Sequence, residues 1–206
     1  TIIPTLKKMA LNDKKDFHRV VEESAALAFG LLQDDSEEVR TFLIELVADK
    51  DRNASFVRPF AAVSLGLLGS AHSTGESSTS SDDRVTETLL DILAGKETKP
   101  DIKPAALMAL GLLGNDAAVP ELLYMLEKDK VNRAGAVELK GIEKSFVIQA
   151  LGKIGVPGTA EDSMAVVNAV KGYVEGKKAK KFDVNLRRSA AIALGQLAPQ
   201  CETSVQ

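Results

Sequence analysis

The residues of this chain that could do chemistry are few: two histidines, one cysteine, several pairs of neighbouring carboxylates and one run of lysines. His18 and His72 belong to no HExxH pattern, and two histidines beside the lone Cys201 supply neither a dedicated zinc site nor a redox pair. Asp34-Asp35, Glu37-Glu38 and Asp82-Asp83 could offer carboxylates for catalysis. They fall at turns or in first helical turns, where a negative charge complements the helix dipole, and are read as structural. The stretch GLLGSAHSTG sets glycines close to hydroxyls but lacks the GK[ST] that places a lysine on the β/γ-phosphates, so no phosphate loop is expected. Lys177, Lys178, Lys180 and Lys181, followed by Arg187 and Arg188, could grip phosphate or an acidic partner. Apart from Phe182 no aromatic interleaves them, and such a run is ordinarily a solvated turn. No catalytic, cofactor-binding or metal-binding residue is assigned.

The rest of the sequence builds structure. Of 206 residues, 45% are hydrophobic but only 4% aromatic, with no Trp, so the core must be made of Ala, Leu, Val and Ile. That is a vocabulary for close helix packing. A net charge of −3 argues against wholesale wrapping of nucleic acid, which is driven by neutralising phosphates. No apolar run reaches the roughly 18 residues of a membrane span, and the first residues, TIIPTLKKMALNDKK, lack the pattern of a signal peptide. A soluble chain compatible with the cytoplasm is expected. It does not begin with Met and its first segment reads as a half-buried helix, which suggests a piece of a longer protein.

The dominant pattern is repetition. FAAVSLGLLG (Phe60 to Gly69) is nearly restated as AALMALGLLG (Ala105 to Gly114), and aligned copies centre on Gly30, Gly66, Gly111, Gly152 and Gly195, at spacings of 36, 45, 41 and 43. Counting from that glycine as zero, small residues recur at −5 and −2 and large apolar ones at −1 and +2. With −9 these offsets share one helical face. A glycine inside a helix costs about 1 kcal/mol against Ala, so five in register imply backbone contact with a neighbouring repeat. Each such B helix follows a second amphipathic segment, A: IIPTLKKMAL, EEVRTFLIELVAD, RVTETLLDILAG, AAVPELLYMLEKD and DSMAVVNAVKGYVEG. Val57-Arg58, Ile102-Lys103 and Leu186-Arg187 open three B helices with an apolar residue and a cation. Pro59 and Pro104 sit in first turns, where proline is tolerated, and Asp183 is placed to cap the last B helix.

VRPFAAVSLGLLG, with AAVPELLYMLEKD after the next B helix, resembles HEAT repeats, in particular the HEAT-like subclass named after phycobilisome lyases. The resemblance covers essentially the whole chain and implies an all-α right-handed superhelix of about ten helices in five A/B pairs. The repeats are approximately 1–34, 35–70, 82–115, 116–156 and 160–200, with a Ser-rich insertion at 70–83. The family's pairing of a turn aspartate with a helix-B arginine is matched loosely by Asp51 with Arg58 and Asp183 with Arg187. Glu22 takes the cation position of the first repeat, so no continuous charge ladder is expected. HEAT-repeat hydroxylases that use metal carry repeated His-Glu pairs, which this chain lacks. DNA glycosylases of related fold use aromatic residues on a basic concave face, and bilin lyases share the repeat without a bilin-binding residue being legible here.

By the same resemblance, B helices line the concave surface. Offsets −3 and +1 lie outside the core stripe and place apolar pairs there in three successive repeats: Leu27 and Leu31, Val63 and Leu67, Met108 and Leu112. Gln149 and Lys153 replace them in the fourth, and Ile192 and Gln196 in the fifth. These six residues are the candidate contact surface if exposed, and a lining between B helices if curvature buries them. The function expected is a non-catalytic protein-protein interaction scaffold, not an enzyme, without cofactor. Its partner would be a protein or the remainder of its own parent chain. The alternatives are a bilin-lyase-like enzyme-associated module and a binder of nucleic acid or an anionic partner through 177–188.

Overall fold

Offsets −9, −5, −2, −1 and +2 become buried or half-buried faces of five helices, except at Leu32, the +2 residue of the first, which is exposed. The computed structural model describes residues 2–52, 56–70, 80–97, 100–133, 138–155, 160–175 and 183–203. Ten α-helices follow in order: α1 (Ile2–Leu11), α2 (Arg19–Leu32), α3 (Glu37–Ala48), α4 (Val57–Ser70), α5 (Ser80–Ala94), α6 (Ile102–Leu113), α7 (Val119–Lys128), α8 (Gly141–Ile154), α9 (Ala160–Lys171) and α10 (Val184–Thr203). They form five A/B pairs in which the even-numbered helices are the B members. The protein is an all-α array of stacked helix pairs. Among the described residues no strand forms, and Lys130 and Glu138 make a single antiparallel bridge.

Local signals start and stop these helices. His18 caps α2, its Nδ1 accepting from Val20 N at 3.3 Å. Asp183 does the same for α10, accepting from Asn185 N at 2.7 Å. Gly114 ends α6 at φ 73°, a left-handed conformation that glycine adopts without steric cost. Helix α5 begins at Ser80, ahead of the Arg84 that opens the sequence-read segment, and so takes Asp82 and Asp83 into its first turn.

The B helices stack on one another with their backbones almost touching. A Cβ built on Gly30 would lie 2.7 Å from Ser64 Cα; on Gly66, 2.7 Å from Ala109 Cα; on Gly111, 2.9 Å from Ala150 Cα; on Gly152, 2.7 Å from Ala193 Cα. Offset zero of each repeat thus meets offset −2 of the next, which explains the small residues at both. Where −2 is Ser64, its hydroxyl donates to Ala26 O at 2.8 Å across the seam. Below the seam, Leu65, Leu110 and Leu151 at −1 and Ala61, Ala106 and Val147 at −5 are fully buried against the A helices.

The A helices are joined differently, through long charged side chains. Arg40 of α3 meets Asp82 of α5 at 2.9 Å, Glu37 meets Arg84, and Arg133, after α7, reaches Glu87 at 2.8 Å and Asp91 at 2.7 Å on α5. A layer held backbone to backbone is shorter than one held by side chains. We refer to the face of the B layer turned away from the A helices as the inner face.

Candidate functional site

The inner face of the B layer is made of offsets −10, −6, −3 and +1, spaced at four, three and four residues so that they share one side of each helix. The sequence-read residues lie there. Leu31 is 70% exposed and Met108 39% exposed, whereas Leu27, Val63, Leu67 and Leu112 are half-buried. The cause of the difference lies in the seam. A Cβ on Gly30 would stand 3.0 Å from Leu67 Cδ1, so an offset +1 side chain covers the glycine of the preceding repeat. Leu31 has no B helix before it among the described residues and stands clear.

Sequence reading missed offset −10, two turns before the chosen pair, where Val20, Phe56 and Ile142 are also exposed. The signal was the same periodicity carried to the first residues of each B helix. The inner face is therefore apolar at both ends of α2 and at the opening of α8. Gln149, half-buried, donates to Ser189 Oγ at 3.0 Å, and exposed Lys153 follows it. Of the basic segment, Arg187 and Arg188 are exposed on α10, while Lys177, Lys178, Lys180 and Lys181 lie outside the described residues. His72 lies outside them too.

A second group of charges runs along the edge where A helices turn into B helices. Offset −8 reaches the C-terminal end of the A helix in four repeats. Glu22 accepts from Asn12, Arg58 Nε donates to Val47 O at 2.7 Å, Lys103 Nζ donates to Leu93 O at 2.8 Å, and Lys144 meets Asp129 at 2.7 Å. Three of these are cations at helix C-termini, the sign the helix dipole favours. Arg58 also reaches Glu97, which precedes the next B helix, with bonds of 2.9 and 3.3 Å. Its side chain is 1% exposed and that of Glu97 2%, a sealed bidentate pair. The carboxylate met by Arg58 thus comes from the following repeat, a relation that a search of its own turn for aspartate could not find.

Lys103, 8% exposed, and Glu143, 5% exposed, face a cleft of about 250 Å³ between the third and fourth repeats, which Gly95, Lys96, Glu97 and Lys140 also line. Glu143 occupies offset −9, where Val57, Ile102 and Leu186 are buried apolar residues. Its carboxylate caps α8 by accepting from Lys140 N at 2.7 Å. Burial pushes the Lys103 ammonium below the usual lysine range; Glu143 and Glu97 act against that shift and Lys140 adds to it. A carboxylate in the core stripe was the legible but unread signal for this cleft.

No family model matches the sequence, and no curated protein matches it. Among solved structures, the chain is similar to human deoxyhypusine hydroxylase in complex with glycerol, with a TM-score of 0.34 and 17% identity over 89% of this chain and 81% of that one. That finding corrects the expectations of a non-catalytic scaffold and of no enzyme activity, since the matched structure is an enzyme. The physical reason is that an array of helix pairs is a framework, and a few side chains placed on it suffice for catalysis. At this identity and TM-score neither a residue role nor an activity passes to this chain. No described helix is long and apolar enough to cross a membrane.

Proposed function

We propose that the inner face of the B layer recognises a polypeptide, binding an amphipathic helix of a protein partner or of the parent chain across the first three repeats. The observation that carries this reading is the exposure of Leu31 and Met108 on the face that also holds Leu27, Val63, Leu67 and Leu112. Three B helices packed at roughly 8 Å span roughly 16 Å between their outer axes, about three turns of a docked helix. Such a ligand would present apolar residues at helical spacing, and Met108 adds an adaptable contact. Gln149 and Lys153 would mark the end of the apolar contact. We also read the repeats as the HEAT-like subclass named after phycobilisome lyases, on the strength of VRPFAAVSLGLLG and AAVPELLYMLEKD.

The test is selection of binders from a displayed library of random helical peptides, followed by affinity measurement against Leu31→Asp, Met108→Asp and the double variant. Both side chains are exposed, so helical content and melting should stay as in the wild type. A charge placed in a desolvated apolar contact is expected to weaken binding by about 2 kcal/mol per site. Selected peptides that bind the double variant as tightly as the wild type would refute the reading. So would peptides whose binding follows salt concentration alone.

A further inference from the structure

We propose that the cleft between the third and fourth repeats binds a small organic acid, whose carboxylate would sit against Lys103 as the Glu97 carboxylate sits against Arg58. Comparison of the protein with itself leads there. Arg58 and Lys103 share offset −8, and each holds the last turn of its A helix through a backbone carbonyl. Glu97 and Glu138 share offset −14, each preceding the next B helix. In the second repeat the pair closes, because Glu97 comes within 2.9 Å of Arg58 and both are buried. In the third repeat Glu138 is exposed, tied to Lys130 by the antiparallel bridge, and a cleft of about 250 Å³ opens where a closed pair would be.

The lining suits an anion. With Glu97 neutralised by Arg58, Lys96, Lys103 and Lys140 face Glu138 and Glu143. The Glu143 carboxylate is already engaged by the amide of Lys140. An ammonium has three protons to donate; one of those on Lys103 goes to Leu93 O, which leaves donors for a ligand. The volume is below the roughly 300 to 1,000 Å³ of pockets for drug-sized ligands and suits an acid of a few carbons better than a nucleotide. The depressed ammonium agrees with this, since an anion seated beside Lys103 would restore its affinity for a proton.

The experiment follows lysine side-chain resonances of the whole chain, labelled at Cε, during titration with acetate, succinate and benzoate at constant ionic strength, with chloride as the control anion. The Lys103 signal, assigned from Lys103→Arg, should shift saturably with at least one acid and titrate at higher pH when saturated. Lys103→Met should raise the dissociation constant by about tenfold or more, the scale of a lost charge-assisted bond, while Lys103→Arg retains binding. Circular dichroism checks that each variant folds, and the wild-type titration decides the matter if Lys103→Met does not. Three results would overturn the proposal. They are no saturable shift with any acid, unchanged affinity in a folded Lys103→Met, and binding that appears only in Glu138→Gln, which would show the seat to belong to the chain's own carboxylate.

Discussion

Replacing the five seam glycines by alanine one at a time should divide them by their neighbours. Alanine gains about 1 kcal/mol over glycine in a helix interior, and at Gly195 a Cβ would meet nothing within 4 Å, so Gly195→Ala should stabilise by about 1 kcal/mol. At Gly66 the new Cβ would lie 2.7 Å from both Cα and O of Ala109, about 0.7 Å inside the 3.4 Å at which ordinary contact begins. Backbone cannot swing aside, so the two B helices must part. Overpacking costs about 1 to 3 kcal/mol, and a clash with rigid backbone belongs at the upper end. Net destabilisation of Gly66→Ala is then about 2 kcal/mol, some 3 kcal/mol apart from Gly195→Ala. Gly111→Ala should be milder, because its closest approach is 2.9 Å and the next atom is the flexible Lys153 side chain. At about 2 to 4 °C per kcal/mol for a chain of this size, thermal melts followed by far-UV circular dichroism should separate the extremes by about 6 to 12 °C. Equal shifts for Gly66→Ala and Gly195→Ala would refute the seam as the reason for the repeated glycine.

Glu97→Gln should destabilise by about 3 kcal/mol in urea unfolding, because it removes the charge of Glu97 from a sealed bidentate pair with Arg58; a change below about 1 kcal/mol would mean that the pair is dispensable. Asn115→Ala should cost about 2 kcal/mol, since the buried amide bonds Asp83, Thr86 and the Ala117 amide at 3.0 Å each. Lys103 should leave a mark on stability against pH. Its native pKa lies below the ordinary 10.5 of lysine, so between the two values the unfolded chain binds more protons and stability rises with pH. The wild type should therefore gain on Lys103→Met as pH climbs through that window, with a constant difference below it. A flat difference between their unfolding free energies would contradict a buried, strained ammonium.

Much of the fold was legible because each repeat tests the others. The stripe at −5, −2, −1 and +2 recurs at every glycine, and backbone contact was the natural reason to tolerate a poor helix former five times. The six inner-face residues were legible in position for the same cause. Their degree of exposure was not, because it depends on whether a preceding B helix lies over the side chain, as α2 lies over Leu67 but nothing described lies over Leu31. The charges were harder still. Arg58 finds Glu97 at a separation of 39 residues, and Asp82 finds Arg40 at 42, distances at which pairing follows from the stacking of whole repeats. Asp82, read from sequence as an acid complementing a helix dipole, does sit in the first turn of α5, and it is also buried against that arginine.

The inner face and the turn edge should fail independently, and α6 shows why. Met108 and Lys103 are five residues apart on it, which at 100° per residue sets their side chains about 140° apart around the helix axis. One lies on the inner face; the other reaches to the end of α5 and the cleft beside Glu143. A substitution acting through local contact cannot easily touch both, and effects of residues without shared partners add. Met108→Asp should thus weaken peptide binding while leaving the response of Lys103 to organic acids unchanged, and Lys103→Met should weaken acid binding while leaving peptide binding unchanged. Loss of both responses in Met108→Asp, with the helical signal intact, would mean that the B layer moves as a body when either surface is occupied. The seam glycines would then be where that coupling passes, since at the four of them that meet a following B helix a shift of one helix has no side-chain slack to absorb it.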